Sequence, residues 1–173
     1  MKLLGIESWA LWCACILMVG AVVINFRTGR VPNSLSLRAI GVGWAVAASI
    51  SFFDFVPSNG GGLLASMVGS GVGILLLAPF RAIRYLGAGG LKMQAAFGAW
   101  VGCALPPERT ASLIAAGTTV GVILLAATVL VIVMYHRVRH KGEFNRRQTL
   151  PAQAMLAIGS ISVLILSMTI NGP

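Results

Sequence analysis

The chain has 173 residues, of which 57% are hydrophobic and only 10% are charged, and its mean hydropathy is +0.89. A soluble domain carries about a quarter charged residues, so this composition excludes a sizeable soluble domain and indicates a polytopic membrane protein. The net charge of +9 would suggest a nucleic-acid partner in a soluble protein. In a membrane protein, however, clustered lysine and arginine report topology, and we expect no nucleic-acid partner.

Six apolar segments predict an all-α fold, a bundle of six transmembrane helices built as a single domain over residues 1–173. Each segment can be a helix, because backbone exposed to lipid must satisfy its own hydrogen bonds. The segments lie at about 8–26, 35–53, 61–80, 91–105, 110–135 and 150–170. Glu7 interrupts the N-terminal apolar region, and no convincing small-x-small cleavage site follows. This favours a first span over a signal peptide.

The fourth segment, 91–105, is shorter than the others. At 1.5 Å per residue it covers about 22 Å, less than a hydrocarbon core of about 30 Å. We therefore expect the preceding Gly87–Gly90 stretch to be a non-helical turn below the membrane surface. Backbone of that kind is tolerated only where protein or a water-filled cavity covers it.

The distribution of lysine and arginine predicts the orientation. Eleven of them lie in or beside the first, third and fifth connections, and only Lys2 and Arg109 lie on the other side. The odd-numbered connections are therefore predicted to be cytoplasmic, with both termini outside the membrane. We expect a multi-pass protein of the bacterial cytoplasmic (inner) membrane, whose basic face attracts anionic lipids.

Two polar motifs stand beside these spans. The run Asn25-Phe26-Arg27-Thr28-Gly29-Arg30-Val31-Pro32-Asn33 closes the first segment, and Gly87-Ala88-Gly89-Gly90-Leu91-Lys92 opens the fourth. Together they resemble the two catalytic motifs of the type IV prepilin peptidases, the Gly-x-Gly-Asp aspartic proteases of bacterial and archaeal membranes. The run 150–159 is similar to the proline-containing start of that family's last helix. The absence of CxxC pairs makes the chain resemble the short Tad/Flp form.

The resemblance implies a catalytic site in which both acidic residues are replaced. In the family each motif carries one catalytic aspartate, and the corresponding positions here are Asn25 and Gly90. One family carboxyl stays protonated and polarises the scissile carbonyl, while the other is ionised and takes a proton from water. Asparagine cannot accept that proton, and glycine has no side chain. The other motif positions carried over are Gly87, Gly89, Lys92, Arg30, Pro32 and Asn33.

Three hypotheses about function follow. The first is a catalytically inactive member of this family, a pseudoprotease that binds pilin-like precursors or pilus-assembly membrane proteins without cutting them. The second is an active peptidase that carries engineered inactivating substitutions. The third is a non-proteolytic membrane scaffold or small transporter that matches the motifs by accident. Under the third hypothesis, the regions around Asn25 and Gly90 have no reason to meet.

Other features have simpler interpretations. His136 and His140 lie among arginines and a lysine, which argues against a cation site, so we predict neither a metal nor another cofactor. The pairs Gly69 and Gly73, and Gly117 and Gly121, favour close helix packing inside the bundle over a dimer interface. If Lys92 lacks a carboxylate, its ammonium group must reach the cytoplasmic surface or a carbonyl oxygen.

Overall fold

The computed structural model describes residues 6–28, 32–53, 61–82, 88–139 and 152–170, and these ranges contain helices and no strand. The predicted all-α fold is confirmed, and each predicted apolar segment corresponds to one helix. The helices are α1 (Ile6–Thr28), α2 (Asn33–Phe53), α3 (Leu63–Ala82), α4 (Ala88–Ala104), α5 (Pro107–Arg139) and α6 (Ala152–Ile170).

The helices have the apolar character of a membrane bundle. Within the described residues, three helical stretches are long and apolar enough to cross a membrane: Asn33–Phe52, Leu63–Ala82 and Pro107–Thr128. Two shorter apolar stretches, Trp9–Asn25 and Ala154–Thr169, accompany them. Large apolar side chains face outward, as lipid contact requires, and Phe52 is 86% exposed.

Helix α4 lies at the centre of the bundle. Every residue from Met93 to Ala104 is buried, and so is Gly90. The helix has 17 residues, or about 25 Å, so it is shorter than the membrane core. The expected non-helical turn over Gly87–Gly90 is corrected in part, because α4 already begins at Ala88 and includes Gly89 and Gly90. The carbonyl groups of this first turn can accept intrahelical hydrogen bonds, whereas its amides precede any carbonyl acceptor within the helix.

Glycines let neighbouring helices approach α4 closely. A Cβ atom added at Gly98 would collide with the backbone of Gly69 on α3, and one added at Gly73 would lie 2.9 Å from the carbonyl oxygen of Gln94. On the other side of the bundle, Gly117 and Gly121 of α5 pack against the backbone of α6. The prediction that both glycine pairs serve internal packing is therefore confirmed.

Hydrogen bonds between helices fix α2, α3 and α4 against one another. Ser66 donates to the Ala99 carbonyl oxygen at 2.6 Å, and Trp100 donates to the Ala39 carbonyl oxygen at 3.1 Å. At one end of the bundle, the Gly62 amide also donates to the Gly102 carbonyl oxygen at 3.0 Å. These contacts fix the second half of α4 against α2 and α3.

The close contact between α3 and α4 predicts a strong asymmetry between two glycine substitutions. Gly98→Ala should lower the free energy of unfolding by about 1–3 kcal/mol, because its methyl group meets backbone that cannot move aside. Gly71→Ala is the matched control: it lies on α3 with nothing within 4 Å of an added Cβ. Thermal unfolding in detergent measures both, and equal stability of the two variants would contradict the close approach of Gly69 and Gly98.

Candidate functional site

The motif residues lie at the ends of three helices. Asn25 is half-buried in the last turn of α1, while Gly89 and Gly90 form the first turn of α4. Pro32 precedes α2 and Asn33 begins it, and both are exposed. Two further motif residues, Arg30 and Gly87, lie outside the described residues.

A hydrogen bond joins the two motifs directly. The Lys92 ammonium group on α4 donates to the Asn33 side-chain oxygen on α2 at 2.9 Å. The sequence places these residues 59 positions apart, one in each motif. The contact shows that the starts of α2 and α4 share one end of the bundle. Of the two expectations for the Lys92 ammonium group, the membrane surface or a carbonyl oxygen, the structure shows the second, because the Asn33 side-chain oxygen is a carbonyl oxygen.

A small cavity lies between α1, α4 and α6 at this end. Gly90 and Gln94 line it from α4, and the remaining lining is apolar: Met18, Ala21, Val22, Met93, Leu156 and Ala157. It has room for about one water molecule, about 10 Å³. Position 90 therefore borders a space that is lined by three helices.

Asn25 belongs to the same face of α1 as this cavity. Residues three and four apart share a helix face, so Asn25 follows the cavity residues Ala21 and Val22 by one turn. Asn25 is therefore one turn nearer than these residues to the C-terminal end of α1.

No acidic side chain that the structure describes lies at this region. Among the side chains that the structure describes, the one carboxylate is Glu108, in the first turn of α5 at the opposite end of the bundle. The cavity itself offers the amide of Gln94 and apolar groups. An amide can donate and accept hydrogen bonds, but it cannot act as a general base near neutral pH.

Sequence reasoning missed Gln94. It is the one strongly polar side chain among the consecutive buried residues Met93–Ala104, and it lies one turn after Gly90. A polar residue inside a membrane span is a functional candidate by default, so the signal was present in the sequence.

The cysteines and histidines are the remaining candidate residues, and packing accounts for the buried Cys103. Cys103 is buried and lies 3.3 Å from the Gly43 carbonyl oxygen, while Cys13 and Cys15 are half-buried. Within the described ranges no three histidine, cysteine or acidic residues cluster as metal ligands. His136 is helical in α5, whereas His140 lies outside the described residues.

Comparisons with known proteins point to one group. The chain is 30% identical over 159 residues to the prepilin leader peptidase/N-methyltransferase of Burkholderia pseudomallei strain 1026b, and equally so to that of strain K96243. The matched region covers 88% of this chain but only 44% of each relative's length. No protein-family model and no solved structure matches the chain.

The bond between Lys92 and Asn33 predicts energetic coupling between the two motifs. In a double-mutant cycle with Asn33→Ala and Lys92→Met, we expect a coupling free energy of about 0.5–1.5 kcal/mol, the usual net value of one hydrogen bond. Thermal unfolding of the single and double variants measures it. Strictly additive losses would show that the contact contributes nothing to stability.

Proposed function

We propose that this chain is a member of the prepilin leader peptidase family and that it does not cleave. In this proposal it is a pseudoprotease of the short Tad/Flp form, a single domain over residues 1–173 that binds pilin-like precursors or pilus-assembly membrane proteins. The named relatives combine two activities, and the chain spans less than half of their length. The proposal concerns the peptidase scaffold alone.

The observation that carries the proposal is the contact between Lys92 and Asn33 at 2.9 Å. Two motifs that match the family are far apart in the sequence, and an accidental match gives them no reason to meet. Here they meet at one end of the bundle, beside a cavity bordered by Gly90. Together with the similarity to the Burkholderia proteins, this favours the family over an unrelated scaffold or transporter.

The absence of cleavage follows from the residues at the two catalytic positions. Asn25 can hydrogen-bond to a peptide or a water molecule but cannot take a proton from that water. Gly90 offers only backbone. General acid–base catalysis contributes about 10²- to 10⁴-fold to a rate, so a site that has lost both groups retains only its ability to bind.

The proposed setting is the bacterial inner membrane, with this end of the bundle in the cytoplasm. Arg27, Arg38 and Arg81 are exposed near the helix ends that adjoin the two motifs. Such a basic surface interacts with anionic lipid headgroups at about 1 kcal/mol per charge. The chain would therefore bind a precursor at the cytoplasmic face of the membrane.

A cleavage assay tests the catalytic part of the proposal. A pilin-like precursor with a basic leader and a hydrophobic helix is co-expressed with the chain in bacterial membranes. The unaltered chain should leave the precursor intact, and the combination Asn25→Asp with Gly90→Asp should cut it at the leader junction. Each single replacement should be at least about 100-fold slower than the pair, because one carboxyl group cannot serve as both acid and base.

The matched control is Asn25→Asp with Gly90→Asn, which fills position 90 with an amide of similar size and should not cut. The precursor should co-purify with the unaltered chain and with this control to the same extent. Cleavage by the unaltered chain would refute the assignment of Asn25 and Gly90. Failure of the precursor to co-purify with any variant would refute the binding role.

The charge distribution predicts the result of a topology experiment. Alkaline phosphatase, which is active only after export, should be active when fused after Pro173 and inactive when inserted within 140–151. A fluorescent protein that matures only in the cytoplasm should give the opposite pattern. Active phosphatase within 140–151 would reverse the proposed orientation and place the Lys92 end outside the cell.

A further inference from the structure

Among the side chains that the structure describes, the largest buried polar one is an amide beside the site. Gln94 is 1% exposed. Its amide nitrogen donates to the Thr118 hydroxyl on α5 at 3.0 Å and to the Ser160 hydroxyl on α6 at 3.1 Å. The Ser160 hydroxyl also lies 3.3 Å from the Gln94 carbonyl oxygen, within reach of a donated bond. One side chain thus links α4 to two other helices.

These bonds restrict how α4 can turn about its own axis. The two hydroxyl groups are themselves buried, and Thr118 is held further by donating to the Ile114 carbonyl oxygen at 2.7 Å. If α4 rotated, the amide would leave both partners, and a buried amide without partners is costly. Apolar contacts alone tolerate small rotations better, since they have no preferred direction.

The rotation of α4 about its axis also determines which neighbouring helix position 90 faces. Gly90 and Gln94 are four residues apart and therefore lie on one helix face. Both line the cavity, opposite Ala21 and Val22 of α1. Position 90 faces α1 from the same side of α4 as Gln94. The hydrogen bonds of Gln94 consequently hold that side in its orientation.

We infer that Gln94 is a positioning residue for the site at Gly90, acting through its bonds to Thr118 and Ser160. The inference rests on the proposed function only in treating position 90 as part of a site. The hydrogen bonds hold α4 in the rotation that directs position 90 toward the cavity and α1. The site therefore depends on α5 and α6, although it is built from the ends of α1, α2 and α4.

Cross-linking across the cavity tests this without any cleavage. Val22→Cys and Gly90→Cys are introduced after Cys13, Cys15 and Cys103 are each replaced by alanine, and a short thiol-reactive cross-linker is applied in membranes. Adding Gln94→Leu, which keeps similar volume but cannot hydrogen-bond, should reduce the cross-linking rate roughly 3- to 20-fold. That range corresponds to the interhelical bonds measured in membranes.

The partner residue supplies a conservative pair of variants. Thr118→Val keeps the shape but loses the hydroxyl, and it should reduce cross-linking in the same direction as Gln94→Leu. Thr118→Ser keeps the hydroxyl and should retain the original rate. Because this pair changes very little volume, it decides the question even if Gln94→Leu fails to fold.

A control separates positioning from general stability. Ser66→Ala removes a buried bond of 2.6 Å between α3 and α4 that lies outside the cavity. It should lower the unfolding temperature yet leave the Val22–Gly90 cross-linking rate unchanged. Equal reductions by Ser66→Ala and Gln94→Leu, or an unchanged rate in Gln94→Leu and Thr118→Val, would overturn the inference. A negative cleavage assay would affect neither result.

Discussion

The structure depends on the enclosure of one short helix. Helix α4 is about 25 Å long, too short to cross a bilayer on its own, and it is stable at the centre because its neighbours cover it on all sides. That enclosure requires close backbone contact, which Gly69 and Gly98 permit between α3 and α4. Helix α4 also places Gly90, in its first turn, inside the protein, while the neighbouring Gly89 and Lys92 are half-exposed.

Two kinds of interaction hold α4, and they serve different purposes. Toward α2 and α3 it is fixed by backbone proximity and by short bonds such as that from Ser66 to the Ala99 carbonyl oxygen. Toward α5 and α6 the contacts are less extensive, and the polar link is the amide of Gln94. Buried polar bonds in membranes contribute modestly to stability but strongly to geometry, since a misplaced amide loses its partners. The side with fewer contacts is also the side on which the cavity lies.

Much of this architecture was accessible from the sequence, for identifiable reasons. Apolar segments and glycines four residues apart predicted the helices and their internal packing, because lipid forces backbone hydrogen bonds within each helix. The start of α4 was predicted too late: Gly89 and Gly90 read as a turn, but their backbone is helical. Gln94 was overlooked because a single polar residue does not disturb an apolar pattern. Its partners Thr118 and Ser160 lie on two other helices, and the sequence does not specify how those helices are rotated relative to each other. The contact between Lys92 and Asn33 likewise required the fold.

Under the proposed function, the polar groups near position 90 must be satisfied without a carboxylate at that position. Charged side chains near the membrane interior are tolerated when paired or when they reach the surface, and in this chain Lys92 pairs with a neutral amide oxygen on α2. The amide of Gln94 is held by hydroxyl groups and needs no charge for its role. Under the proposed function, Lys92 and Gln94 thus keep their hydrogen-bond partners without either acid, so that binding can persist without catalysis.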